Sequence, residues 1–493
     1  MADQQEKATS SNISHVENCP ADPPIDPSLE KKLLWKVDLR LVPPLAFLYL
    51  LAFLDRINIG NARIQGLEES LNMDPEGSQY NIALFVFFIT YVLFEIPSNM
   101  LLKRFAPSTW LSFITCGFGI CSMCQGLVRD WAGLVICRVF LGVTEAGLLP
   151  GTIYLMSMYY KRHEFQRRFG IWYVSVPLAG AFGGLLAYAL AHMDGIGGYE
   201  GWRWIFIIEG IVTVIGGVGV KFWLADWPHQ AKFLSEAERV LVQRRISEDT
   251  GPGAMDTLDK RALQLIFTDY KIYIGALLYF AIALSGNAVA YFTPTILHHF
   301  GYSPLSAQVH SIPIWMVAAV TCVVAGIASD LCRHRYWFIM AGCATTIAGY
   351  AILISQAPPG GHRLPMGVQY FALFLVFIGI QIVQPITLGW LSGNLAGHYK
   401  RAFGSAIQVS LGNLAGLVAS NIFLTSEAPT FVTGFATCFA LLVLHAVLSS
   451  LLAYLMKREN ARRDRGERDY RFGLPEEQLN NMGDCHPSYR FGI

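Results

Sequence analysis

The chain has 493 residues, of which 53% are apolar, 13% aromatic and only 15% charged, with 37 Lys+Arg against 36 Asp+Glu. A soluble chain carries roughly 25% charged residues, so the deficit excludes a disordered chain and an ordinary soluble enzyme. The net charge of +1 gives no global attraction to nucleic acid. Charge is concentrated in the tails and a few loops, and the remainder is apolar in long blocks. The expected class is an all-α polytopic membrane protein.

A bilayer core of about 30 Å requires about 20 apolar residues of helix. Twelve blocks meet that need: 41–62, 81–102, 108–127, 131–157, 169–192, 202–225, 270–297, 308–329, 336–356, 368–396, 403–424 and 430–456. Alternating strands of about ten residues, the mark of a membrane barrel, are not the pattern. Residues 1–40 are polar and Pro-punctuated and lack the apolar core of a signal peptide. The expected organisation is a tail (1–40), six helices (41–226), a hydrophilic connector (227–269), six more helices (270–456) and a second tail (457–493). In the connector, Ser235 and Glu238 form a capping-box pattern ahead of a helix. The ten cysteines lie mostly within spans and read as small hydrophobes, with no metal or cofactor implied.

Basic residues fall in alternate loops: Lys103 and Arg104; Lys161, Arg162, Arg167 and Arg168; Arg333 and Arg335; Lys400 and Arg401. By the positive-inside rule these loops and both termini face the cytoplasm, and the membrane is expected to be the plasma membrane. The basic run from Lys457 to Arg468 reads as a further positive-inside anchor.

Two groups of six helices joined by a long loop are how major facilitator transporters are built. The loop Gly326-Ile-Ala-Ser-Asp330-Leu-Cys-Arg333-His-Arg335 resembles that superfamily's Gly…Asp…Arg signature, whereas the first-half counterpart has Lys103 where Asp would fall. Further motifs resemble the anion:cation symporter family, and within it the fungal allantoate/nicotinate permease-like group. They run in order: Leu54-Asp55-Arg56-Ile-Asn58, Glu95-Ile-Pro97, Arg138-Val-Phe-Leu-Gly142-Val-Thr-Glu145, Gly201-Trp202-Arg203-Trp204, Glu209-Gly210 and Trp390-Leu-Ser-Gly-Asn394.

Charges inside a bilayer need a partner or a function. Asp55, Arg56, Glu95, Arg138, Glu145, Glu209 and Lys221 all fall within the first six spans. Arg138 and Glu145, seven residues apart, share a helix face about 10 Å apart along the axis. Two acids and two bases either neutralise one another or divide anion binding from proton transfer. The resemblance implies the second: Asp55 and Glu145 in proton coupling, Arg56 and Arg138 in substrate binding or gating. Glu95 is expected at a gate or helix end, Glu209 in packing or an outer gate, and Glu164 with Arg168, at i,i+4 spacing, in a gate with the Asp330–Arg333 loop.

The later spans offer neutral groups, of which Asn287, Tyr291 and Gln384 are expected to face the cavity. Cations from one half alone suit a small monoanion with a neutral body rather than a dianion. The expected function is therefore proton-coupled import of a small organic anion by alternating access, with protons as coupling ion, no nucleic-acid partner, and the monomer as functional unit. Within the class, an efflux carrier stays open as the alternative. Outside it stands a non-transporting nutrient sensor, while no nucleotide loop or nucleophile motif points to an enzyme.

Overall fold

The computed structural model describes residues 26–74, 78–250, 260–332, 334–356, 364–423, 427, 428, 430–475, 478, 479 and 481–493. Chain contacts define two units, 1–39 and 40–493. In the first, the described residues open a helix at Pro27, with the Asp26 carboxylate accepting from the Ser28 amide at 2.8 Å.

The helices are α1 (Pro27–Arg63), α2 (Gln79–Leu102), α3 (Pro107–Gln125), α4 (Trp131–Glu145), α5 (Leu148–Ser157), α6 (Arg162–Tyr173), α7 (Ser175–Ala191) and α8 (Gly201–Trp223). Then come α9 (Glu236–Thr250), α10 (Lys260–Phe267), α11 (Tyr270–Phe300), α12 (Pro304–Cys332), α13 (Tyr336–Ile354), α14 (Met366–Asn394), α15 (His398–Ala419) and α16 (Val432–Asp464). Among the described residues, eleven stretches of helix are long and apolar enough to cross a membrane. The block expected at 108–127 forms α3, which is not among the eleven; Ser, Thr, Gln and Gly dilute its apolar content.

Local chemistry sets the ends. The Asp130 carboxylate caps α4 by accepting from the Gly133 amide at 2.8 Å, and Asp269 caps α11 through the Lys271 amide at 2.9 Å. Gly301 ends α11 at φ 116°, a left-handed value that favours glycine. The expected capping box forms: the Ser235 amide donates to Glu238 Oε2 at 2.9 Å and the Glu238 amide to Ser235 Oγ at 3.3 Å. The expected fourth span is two helices, α4 and α5, interrupted at Ala146-Gly147 immediately after Glu145.

Packing follows the buried stripes. Helix α3 packs on α8 and α4, and α2 packs on α4; later in the chain α13 packs on α14 and α16, and α11 on α15. The earlier and later helices meet through α7 against α12 and α2 against α15. Outward faces carry exposed large apolar side chains, among them Phe113, Phe140, Ile215, Phe222 and Val324. Such faces suit lipid, where a helix satisfies its own backbone and needs no polar surface.

In the second tail, residues 484–493 fold against the ends of α11, α14, α15 and α16. Arg463, within the basic run, is buried and donates to the carbonyls of Asp484 (3.0 Å) and Tyr489 (2.8 Å).

Candidate functional site

Helix α1 carries Asp55 and Arg56 into the interior on adjacent faces, and both are buried. Arg56 Nε donates to Glu145 Oε1 at 2.5 Å, with both side chains almost wholly shielded. Its guanidinium also lies over the rings of Tyr91 and Phe87, 4.9 and 5.2 Å from their centroids. Asp55 takes a different partner: Ser122 Oγ of α3 donates to its Oδ1 at 2.7 Å, while Oδ2 has no hydrogen-bond partner among the described residues. One turn along α1, Asn58 Nδ2 donates to Glu209 Oε2 of α8.

Arg138 is the counterpart that stays unsatisfied. It is 2% exposed, and its Nε and Nη2 have no hydrogen-bond partner among the described residues. It shares the buried face of α4 with Glu145, as the spacing predicts, but the carboxylate bonds to Arg56 instead. A buried guanidinium with two open donors is costly unless something anionic completes it.

Glu95 joins the earlier helices to the later ones: Asn413 Nδ2 of α15 donates to its Oε2 at 3.3 Å. Both are buried. Close by, a cavity of about 30 Å³ is lined by Arg56 and Asn413 together with Tyr49, Asn287, Gln381 and Gln384. That volume admits about one or two waters, far below the several hundred Å³ typical of small-ligand sites. A larger cavity of about 310 Å³ lies at the basic end, walled by Lys103, Tyr154 and Tyr160 on one side and by Arg335, Gly393 and Arg401 on the other.

Of the later-helix residues expected at the cavity, Asn287 and Gln384 line the central one. Tyr291 does not; its buried ring packs 6.1 Å from Phe88, and its carbonyl abuts Gly60. Arg138 likewise stands behind the lining rather than on it. Of the expected Glu164–Arg168 gate, Glu164 Oε1 accepts from Arg245 of α9 at 2.6 Å, and Arg168 donates to the Glu164 backbone carbonyl at 3.3 Å and lies over the Tyr160 ring, 4.4 Å from its centroid. Arg333 and the side chain of Asp330 lie outside the described residues. His445 is buried among Cys343, Thr387 and Ser449, at 3.3–3.4 Å from each. No group of His, Cys, Asp and Glu suited to a metal occurs among the described residues.

Sequence reasoning passed over Ser122, Asn58 and Tyr91 as partners. Nothing in their local pattern marks them, because their roles depend on which helix faces which. The charges they serve were the only available signal.

A polytopic bundle with ion-paired charges beside a central cavity between its earlier and later helices is a membrane carrier. The chain belongs to the Major Facilitator Superfamily, whose family model matches residues 45–420. It is 36% identical to the MFS-type transporter cnsO of Penicillium expansum over 94% of this chain and 90% of that protein. It is 28% identical to the high-affinity nicotinic acid transporter of Saccharomyces cerevisiae over 94% and 85%, respectively. Among solved structures, a bacterial homolog to the human lysosomal transporter Spinster, inward-facing and occupied, aligns with a TM-score of 0.61 at 17% identity, covering 87% of this chain and 98% of that one. The protein is a membrane transporter, not an enzyme.

Proposed function

We propose that the protein is a proton-coupled importer of a small organic monoanion, of the anion:cation symporter family, with both termini and the basic loops in the cytoplasm of a plasma-membrane monomer. The observation that carries this reading is the buried Arg56–Glu145 pair next to Arg138, whose Nε and Nη2 have no hydrogen-bond partner among the described residues. Arg56 lines the central cavity, so an anion entering there meets the guanidinium that holds Glu145. The anion competes for Arg56, Arg138 adds a second cation from behind, and the freed carboxylate becomes the proton acceptor. Substrate and proton occupancy are then linked through one shared side chain. Asp55, whose Oδ1 accepts from the Ser122 hydroxyl and whose Oδ2 has no hydrogen-bond partner among the described residues, is the second proton-coupling carboxylate.

The neutral groups of the later helices fit a substrate with an uncharged body. The likeness to a nicotinic acid transporter favours an aromatic monocarboxylate such as nicotinate as the first compound to test. The contracted central cavity and the larger one at the basic end are what alternating access through a cytoplasm-facing vestibule requires. The test is uptake of radiolabelled nicotinate, with a carboxylate competitor panel, into cells expressing the wild type, Glu145→Gln, Asp55→Asn and Arg138→Ala. Accumulation that follows the inward proton gradient in the wild type and is lost in the variants supports the reading. Undiminished gradient-driven accumulation in both carboxylate variants sinks the coupling roles.

A further inference from the structure

The tail that folds back ends in a binding arrangement that transport does not explain. Asp484, fully buried, meets Lys271 at the start of α11 at 2.9 Å and Lys400 in the first turn of α15 at 2.5 Å. Asp269 meets the same two ammonium groups at 2.8 and 2.5 Å. Two acids and two bases thus alternate around a closed, buried square, and only Asp484 comes from the tail. Beyond it, Phe491 sits between cations, 5.0 Å from Lys271 Nζ and 4.7 Å from Arg463 Cζ, measured to its ring centroid. Asn460 brackets the Phe491 backbone, donating to its carbonyl and accepting from its amide, both at 2.9 Å. Asn394 does the same for Gly492, at 2.9 and 2.8 Å. These are the satisfied, reciprocal bonds of a built peptide site, not casual surface contacts.

The sequence shows what the site selects. Tyr-Arg-Phe-Gly occurs twice in the tail, at 470–473 and 489–492. The second copy is docked. The first is not: Tyr470 and Phe472 are 70% and 50% exposed. Five residues before Tyr489 stands Asp484; five before Tyr470 stands Arg465, which would face Lys271 and Lys400 with like charge. The acid is therefore the discriminating group.

The docked segment also touches the wall of the larger cavity. Tyr489 Oη donates to the Gly393 carbonyl at 3.1 Å, and the Arg335 amide donates to the Ile493 carbonyl at 3.2 Å; Gly393 and Arg335 both line that cavity. Trp390 Nε1 donates to the Gly492 carbonyl at 3.0 Å from the same stretch of α14, which follows Pro385 within the helix. We infer that the later helices carry a peptide-binding site at their basic end, occupied by the chain's own segment Asp484–Ile493, and that its occupancy holds the terminal turns of α14 against the larger cavity. Release of the segment frees the cavity-lining turns Gly389–Asn394, and docking braces them.

Hydrogen–deuterium exchange of the full-length protein in lipid nanodiscs reads this without any transported substrate, so it stands or falls independently of the transport reading. In the wild type, 484–493 and 386–397 exchange slowly together. Asp484→Asn and Phe491→Ala each accelerate both segments at least tenfold, Asp484→Glu stays near wild type, and α8 is unchanged as a control on folding. Excess synthetic peptide of sequence 484–493 restores slow exchange at 386–397 in Phe491→Ala, and a peptide of sequence 465–474 does not. Free exchange of the wild-type tail overturns the site. So does continued protection of 484–493 in both disruptive variants. A tail that is released while 386–397 stays protected overturns the brace, and equal action of the two peptides overturns the selection by Asp484.

Discussion

Arg56 Nε lies 2.5 Å from Glu145 Oε1, joining α1 to the last residue of α4 where that span is interrupted, inside an interior that shields both groups from water. A pair of this kind is expensive to break from one side, because the remaining charge has neither water nor partner. Arg56→Ala should lower folding stability by about 3–5 kcal/mol, and adding Glu145→Gln should recover most of the loss. Thermal unfolding of the purified variants in detergent checks both. Additive losses in the double variant would contradict the pairing.

Arg138 should behave in the opposite way. Its Nε and Nη2 bond to nothing among the described residues, so the folded protein without ligand gains little from them. Arg138→Gln is expected to leave the melting temperature unchanged or raised while reducing anion affinity by at least tenfold. That separation of stability from binding marks a group held ready for a ligand. Parallel unfolding and binding titrations measure it; a variant that unfolds early with intact affinity would make Arg138 structural.

The Glu95–Asn413 bond ties α2 to α15 across the two sets of helices. A buried hydrogen bond contributes about 0.5–1.5 kcal/mol, enough to move a two-state equilibrium about twofold to tenfold. Asn413→Ala should shift spin-label distances between α2 and α15 toward a wider separation. An unaltered distance distribution would remove the bond from the list of contacts that hold this state.

Gly60 permits a close approach of α1 to α11. A Cβ there would meet the Tyr291 carbonyl oxygen and sit 3.3 Å from its carbon. Both neighbours are backbone and cannot give way. Gly60→Ala should therefore part the two helices and disfavour this conformation, read as faster exchange of the α11 amides around Tyr291. Unchanged exchange with full transport would show that the helices yield without cost.

The charged square predicts a pH dependence. Burial alone raises the Asp269 carboxyl, but the ammonium groups of Lys271 and Lys400 more than offset this and hold it below its ordinary value of 3.8. A lowered folded value means the stabilisation is complete above the ordinary value and lost as pH falls through the folded one. The square's share of the protection of 484–493 should accordingly be complete above about pH 4 and lost below it, whereas His486, whose imidazole burial and Arg463 hold below its ordinary 6.5, removes protection as pH falls through about 6. Exchange corrected for its intrinsic pH dependence in a His486→Asn background isolates the square; loss of protection near pH 6 in that background would contradict it.

The sequence made the spans legible because a membrane crossing demands a long apolar run, and the buried charges legible because they break such runs. Pairing was not. Arg138 and Glu145 share one helix face, as their spacing dictates, yet Glu145 bonds to a residue 89 positions away in the chain. Glu164 and Arg168 have ideal i,i+4 spacing, but Arg245 of the connector takes the Glu164 carboxylate. Spacing fixes neighbours on one helix and is silent on which other helix arrives. The tail was hardest to read: its Lys and Arg count speaks to orientation, while the docking of its end depends on Asp484 and on backbone carbonyls that composition does not reveal.

The central claim is that an incoming anion takes Arg56 from Glu145 and leaves that carboxylate to accept a proton. Proton uptake on binding tests it most directly. Nicotinate is added to the purified transporter in weakly buffered solution, and the pH change is recorded against bound ligand. The account predicts close to one proton taken up per anion in the wild type and none in Glu145→Gln with binding retained. Equal uptake by both proteins would contradict it.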